Sequence, residues 1–351
     1  MPDVYIAKSE FRGVIERLMG RYRVYAPVKN GSFHDFAPLK NPSEADLSFR
    51  NSRLSPKGIF HPQAERMFDY SIGRDDPQAG IVKEVPKAFP PQLVLGIRPC
   101  DAKAFQLDDV NFNTETIKDP WWVRRREATT LIGLACDSPC STCFCISMGG
   151  GPYDTAGLDI LLLDTGEGYA TEVLTERGKN TMEVTSGRPS VSSAVSALIS
   201  AKKAAAEQSI GHAFDPADLA HKEMFELFKS PIWDEIQFSC INCGTCTFLC
   251  PTCWCFDIQD EVYKDKGERL RLWDSCMFPL FTLHGSGHNP RANKSQRVRQ
   301  RFMHKLKYYT DKYNGGPACV GCGRCVQACP VNIDIRQVGR LMASPACSCP
   351  A

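Results

Sequence analysis

Two cysteine runs in the last third of the chain have a spacing suited to iron–sulfur chemistry: Cys240-x-x-Cys243-x-x-Cys246-x-x-x-Cys250-Pro251 and Cys319-x-x-Cys322-x-x-Cys325-x-x-x-Cys329-Pro330. Three cysteines two residues apart can wrap one corner of an iron–sulfur cube. A fourth, three residues on and followed by proline, is carried by the outgoing chain to the other cube of a pair. The spacing therefore predicts crossed ligation, with Cys240, Cys243, Cys246 and Cys329 on one [4Fe-4S] cluster and Cys319, Cys322, Cys325 and Cys250 on the second. A structural zinc site is the alternative, but zinc takes its ligands in pairs, and here quartets ending in proline occur twice. Gly244, Gly321 and Gly323 suit the same reading. A loop folded tightly round a cube brings backbone N–H groups to its sulfurs and needs residues free of Cβ strain.

Eighteen cysteines less these eight leaves ten. Cys136, Cys140, Cys143 and Cys145 crowd into one short stretch, and Cys143 and Cys145 place their sulfurs on the same side of an extended chain. A third iron–sulfur centre is expected there; buried free thiols and a redox dithiol are the alternatives. Gly149, Gly150 and Gly151 follow, and either let backbone approach a cluster or form a turn before Pro152. Cys100 is a further candidate ligand of this centre, as are Cys253, Cys255 and Cys276, for which packing as buried free thiols is the alternative, while Cys347 and Cys349 in the terminal CSCP read as nonligating thiols. His284 and His288 read as hydrogen-bonded structural histidines rather than ligands. Arg291, Lys294, Arg297, Arg299, Arg301, Lys305 and Lys307 read as a solvated helix face, or as a patch that steers an acidic partner.

The elements that must position these residues fall into two groups. Phe11, Val14, Ile15 and Leu18 share one face of a short helix that Ser9 would cap, and Asn30-Gly31 is a hairpin turn between strands at 21–28 and 33–39. Residues 41–92 read as loops with a short helix at 62–70. Leu93–Ile97 and Thr130–Ala135 are apolar runs of buried-strand length, each leading into a cysteine-bearing loop, as sites on α/β sheets do. A second hairpin is expected at 158–163 and 169–174, then helices at 191–208 and 216–229. The fold class is thus an α/β domain at 1–185 carrying the extra iron–sulfur centre, a helical linker at 186–233, and an α-helical two-[4Fe-4S] ferredoxin domain at 234–351 with a long insertion between its cysteine runs.

The whole chain of 351 residues, 43% hydrophobic and 23% charged, has the composition of a folded protein, and its net charge of +2 gives no electrostatic case for nucleic acid. The N-terminus lacks the apolar run of a signal peptide, and no apolar stretch is long enough to span a bilayer, so a cytoplasmic location is expected.

The segments SPKGIFHPQAERMF, LGIRPCDAKAF, CDSPCSTCFCISMGGGP, CPTCWCFDI and HGSGHNPR, with the two ferredoxin runs, make the chain resemble the iron–sulfur β subunit of cytoplasmic sulfhydrogenases. It is similar too to the A-type subunit of anaerobic sulfite reductase and to the B-type subunit of flavin oxidoreductases linked to heterodisulfide reductase. The resemblance covers residues from about 50 to about 335. It implies an electron-transfer subunit that relays electrons between an NAD(P)H-linked flavin subunit and a separate catalytic or acceptor subunit. The alternative is that the chain is itself an enzyme reducing sulfur, a disulfide or sulfite with its extra cysteines. No G-x-G-x-x-G turn or P-loop is present, so the flavin is expected on a neighbouring subunit. The isolated chain should therefore oxidise no NAD(P)H. Stoichiometric flavin or nicotinamide bound to this chain alone, measured after gel filtration, would contradict that.

Overall fold

The structure is a computed structural model that describes residues 4–183, 185, 188, 189 and 192–344, so Cys347 and Cys349 lie outside the described residues. Its strands are β1 (Val4–Ala7), β2 (Arg23–Asn30), β3 (Phe33–Pro38), β4 (Ala64–Ser71), β5 (Lys83–Glu84), β6 (Gln92–Ile97), β7 (Thr129–Leu134), β8 (Ile160–Asp164), β9 (Gly168–Val173), β10 (Arg188–Pro189), β11 (Phe256–Tyr263) and β12 (Lys266–Trp273). They form an eight-stranded sheet, in the order β10-β1-β9-β8-β7-β6-β2-β3, and a four-stranded sheet, β11-β12-β4-β5.

The centre of the large sheet is parallel, β2 with β6, β6 with β7 and β7 with β8. β6 and β7 are buried at every position, as strands covered on both faces must be. Antiparallel hairpins complete it at the sides: β2–β3 turns at Gly31, which is left-handed at φ 60°, and β8–β9 turns at Gly166. The helix Lys8–Met19 buries Phe11, Val14, Ile15 and Leu18 against one face; it begins at Ala7 with no side-chain cap, so Ser9 is inside the helix. Phe60, Phe105 and Trp122 fill the other face.

Three expectations are corrected. In place of a helix at 62–70 the chain forms strand β4 from Ala64, with Glu65 and Met67 alternating inward. The period of two was hidden because one inward residue is a carboxylate, neutralised in place by Arg125, Lys87 and Arg271. The second correction concerns the C-terminal part, which is not all helical. Its insertion carries the β11–β12 hairpin, and β12 pairs antiparallel with β4 of the N-terminal half. Gly267 is opposite Tyr70 in that ladder, where a Cβ would run into the tyrosine ring. The expected helix at 216–229 is broken into Ala217–Ala220 and Met224–Lys229.

Buried ion pairs reinforce this seam. Arg271 of β12 bonds Glu65 of β4 at 2.5 Å and also Asp119, and Arg324 from the second cysteine run bonds both oxygens of Asp101 at 2.6 and 2.7 Å. Breaking such a pair from one side leaves a buried charge uncompensated, so Arg271→Met should destabilise the fold by about 3–5 kcal/mol in anaerobic urea denaturation. Glu65 is buried, which opposes its ionisation, yet Arg125, Lys87 and Arg271 hold its pKa down at about 2 against an ordinary 4.5. Its stabilising contribution is present above the ordinary value and is lost as pH falls from there towards about 2. Glu65→Gln should therefore flatten the acid side of the stability profile.

Candidate iron–sulfur site

The two cysteine runs fold alike. Gly244 and Gly323, both left-handed at φ 73°, start the single helical turns Thr245–Phe248 and Arg324–Gln327, and a Cβ on either would meet a neighbour, Phe278 or Thr142, closer than 3 Å. Gly321 is left-handed as well, at φ 66°. Backbone N–H groups point at sulfur from Asn242 to Cys240 (3.4 Å), from Gly321 to Cys319 (3.5 Å) and from Ile333 to Cys329 (3.2 Å).

Cys240, Cys243, Cys246 and Cys329 line one void, with Cys325 and Arg301 at its inner side and Met277, Val298 and Phe302 around it. Cys250 lies among Cys319, Cys322 and Cys325 closely enough for their charges to act on one another, and burial raises the pKa of the Cys319 thiol to about 12. A third void, lined by Cys100, Cys136, Cys140, Cys143 and Cys145 with Cys322 beside them, opens beyond the carboxyl ends of β6 and β7. Among the described residues, no group of three His, Cys, Asp or Glu side chains closes on a point as a single metal ion would require; the sulfurs are arrayed around voids. Concavities lined by sulfur and supplied with backbone N–H groups are what cubes of iron and sulfide need.

The loops round the third void are clamped from both halves. Arg98 donates to the carbonyls of Phe49, Arg50, Leu134 and Ala135, tying the ends of β6 and β7 to the chain before β4. Phe144 N–H bonds the Gly321 carbonyl at 2.8 Å, and Cys143 Sγ lies 3.7 Å from the Cys322 carbonyl. A hydrogen bond from Cys143 holds the Cys140 thiol down at about 6 against its burial, with Arg50 and Arg98 helping. Burial pushes Cys145 up to about 11. Gly149 is left-handed at φ 65° and closes the turn Cys145–Met148, while Gly151 lines the void.

Cys100 joins the four clustered cysteines; Cys253, Cys255 and Cys276 do not. Cys253 stands beside Cys250 with Arg301 Nη1 3.7 Å from its sulfur. Cys255 and Cys276 hydrogen-bond sulfur to sulfur at the base of the β11–β12 hairpin, where Asp274 N–H also bonds the Cys255 carbonyl. His284 and His288 are exposed and close a turn through backbone.

The basic run is another correction. Arg297, Arg301 and Lys305, spaced i, i+4 and i+8 along the helix Lys294–Met303 and the π-helical turn His304–Tyr308, are buried. Arg301 lies among Cys246, Cys250, Cys253 and Cys325, and burial opposes its charge while those sulfurs favour it. Lys305 bonds Thr252, whose hydroxyl lies 3.4 Å from Cys250 Sγ. Lys57, from the SPKGIF segment, reaches across from the N-terminal half to the carbonyls of Cys253 (2.9 Å) and Thr247 (3.3 Å). Reading by residue type missed Lys57 and Lys305 as site residues, because a lysine in a loop or a basic helix is ordinarily solvated. The four-residue spacing of the helical cations was the available signal.

Paired cysteine loops of this geometry define a carrier of two iron–sulfur cubes. The match to known proteins agrees: residues 239–333 match the 4Fe-4S dicluster domain family, and the chain is 29% identical over 354 aligned positions to sulfhydrogenase 2 subunit beta of Pyrococcus furiosus, covering 95% of this chain and 96% of that protein. No solved structure matches. The chain thus carries a 4Fe-4S dicluster domain and is similar along its length to a sulfhydrogenase subunit, and among its described residues no helix is long and apolar enough to cross a membrane. From the arrangement of the sulfurs, Cys329→Ser and Cys250→Ser should each lower iron by about four per chain and abolish the signal of a different cube. If both changes removed the same electron paramagnetic resonance signal, the crossed assignment would fail.

Proposed function

We propose that the chain is an electron-transfer subunit of a multisubunit oxidoreductase, relaying electrons through three iron–sulfur clusters between an NAD(P)H-linked flavin subunit and a catalytic or acceptor subunit. The observation that carries this is continuity. Cys325, assigned with Cys250, Cys319 and Cys322 to the second cube, also lines the void of the first, and Cys322 lines the third void. The Cys250 set therefore stands between the other two. Once bound, such clusters supply stepwise one-electron storage at potentials set by burial, charge and hydrogen bonds to sulfur. The chain's own contribution is to hold the thiolates and to exclude water from them, as the buried Cys145, Cys250 and Cys322 do. It also leaves one edge open: Cys243 is exposed, with exposed Ile241 on the same loop and exposed Phe238 at the end of the helix before it, which suits contact with a partner. The relative's name, a subunit of a sulfhydrogenase, supports membership of a complex.

A second reading, in which this chain itself reduces a sulfur substrate, is favoured by one observation, the free thiols of Cys253, Cys255 and Cys276 beside the Cys250 set. The two readings part on the Cys255→Ser/Cys276→Ser double variant. A relay subunit should keep electron transfer to its acceptor subunit, whereas a catalytic one should lose turnover with full cluster content. For the relay, anaerobically purified protein should hold about twelve irons per chain, and the change of Cys143 and Cys145 to serine should remove about four. Adding the flavin subunit and NAD(P)H should bleach the cluster absorbance. Eight irons in both proteins would remove the third cluster from the relay, and failure of any flavin partner to reduce the clusters would overturn the function.

A further inference from the structure

Three cations are buried around the Cys250 set with no carboxylate partner among the described residues: Lys57, Arg301 and Lys305, at 4%, 3% and 3% exposure. Lys57 Nζ donates to the Cys253 carbonyl at 2.9 Å and lies 4.3 Å from the centre of the Trp273 ring, whose face also favours a cation. Lys305 Nζ is 2.6 Å from Thr252 Oγ1, which lies 3.4 Å from Cys250 Sγ. Arg301 points Nη1 at Cys253 Sγ and leaves Nε without a partner. Asp108, the carboxyl close enough to act on both lysines, is fully buried and pairs with neither. Three unpaired charges in one core would cost far more than a folded domain can spare, unless an anion faces them. Two cubes in thiolate cages are such anions, and each grows more negative on reduction.

On this basis, and resting on the relay reading above, we propose that Lys57, with Arg301 and Lys305, raises the reduction potential of the Cys250, Cys319, Cys322 and Cys325 cluster, making the middle of the relay the site where an electron comes to rest. A fixed positive charge stabilises the reduced cluster more than the oxidised one, because the reduced form carries one more negative charge. The first cluster shares Arg301, but the sulfurs that act most on the two lysines are Cys250, Cys253 and Cys319 and not its own ligands, so it gains less. Lys57 is a positioning residue in this scheme. It belongs to the N-terminal half and reaches the cluster only when β4 and β12 are paired, so docking of the two halves would itself set the potential. The SPKGIF segment then has a purpose: Ser55 bonds the Lys57 N–H and Pro56 begins the turn that aims the lysine inward.

The test is a redox titration of the full chain followed by electron paramagnetic resonance, comparing Lys57→Met, Lys57→Arg and Lys305→Met with wild type. Lys57→Met and Lys305→Met should lower the midpoint of the same single cluster, and Lys57→Arg, which keeps the charge, should leave it near wild type. A variant that only loosened the fold would lose iron instead of shifting one midpoint. If Lys57→Met loads poorly, Lys57→Gln and Lys305→Met carry the comparison. Fully loaded variants with every midpoint at the wild-type value, or with only the Cys143 cluster shifted, would overturn the proposal. Wild-type protein without clusters would overturn the relay reading itself, a result distinct from unshifted midpoints.

Discussion

The constraint on which the rest of the molecule depends is that sulfurs from three distant stretches of chain, 136–145, 240–250 and 319–329, must meet inside one fold. Local loops bring each set of thiols together, but only the docking of the two halves makes the sets contiguous. That docking combines the β4–β12 ladder with ion pairs buried between the halves. Arg324 bonds Asp101 with both sides buried, and Arg271 closes on Glu65 across the β4–β12 ladder. Charged pairs gain little net free energy from burial, yet they are strict about geometry, since a half-satisfied pair is worse than none. They fix where the halves sit rather than how tightly they hold.

What could be read from the sequence follows from which signals are local. Left-handed glycines and cysteine spacing act over a few residues, so both ferredoxin loops, down to Gly244, Gly321 and Gly323, were legible. So were β6, β7 and the two hairpins, whose apolar runs and turn residues leave little choice. The misread elements all have their cause at a distance. Strand β4 shows no clean alternation because its inward Glu65 is answered by arginines from elsewhere in the chain, one of them Arg271, 206 residues later. The basic residues from Arg297 to Lys305 look solvated unless the sulfurs they face are known. Cys253, Cys255 and Cys276 read as ligands of the third centre or as packed thiols, because cysteine type alone says nothing of which cavity a loop will reach.

Asp101 and Arg98 show how one short motif can serve two levels of structure. Pro99 starts the helix Pro99–Phe112 directly at the end of β6, which turns Cys100 to the third void and Asp101 to Arg324. Arg98 donates its guanidinium N–H groups to four backbone carbonyls. The same residues that present a sulfur therefore also close the strand ends beneath it.

The ladder between β4 and β12 has one more consequence. An electron that moves between centres does so by tunnelling, whose rate falls exponentially with separation, so a hinge between two halves would turn every thermal excursion into a fluctuation of rate. Seven residues of each strand are paired through the backbone, with one bulge beside Arg269 and with Gly267 under the Tyr70 ring, so a hinge motion at this seam would have to break a whole ladder. The sheet acts as a ruler, and the spacing it sets is as insensitive to temperature as the hydrogen bonds that draw it.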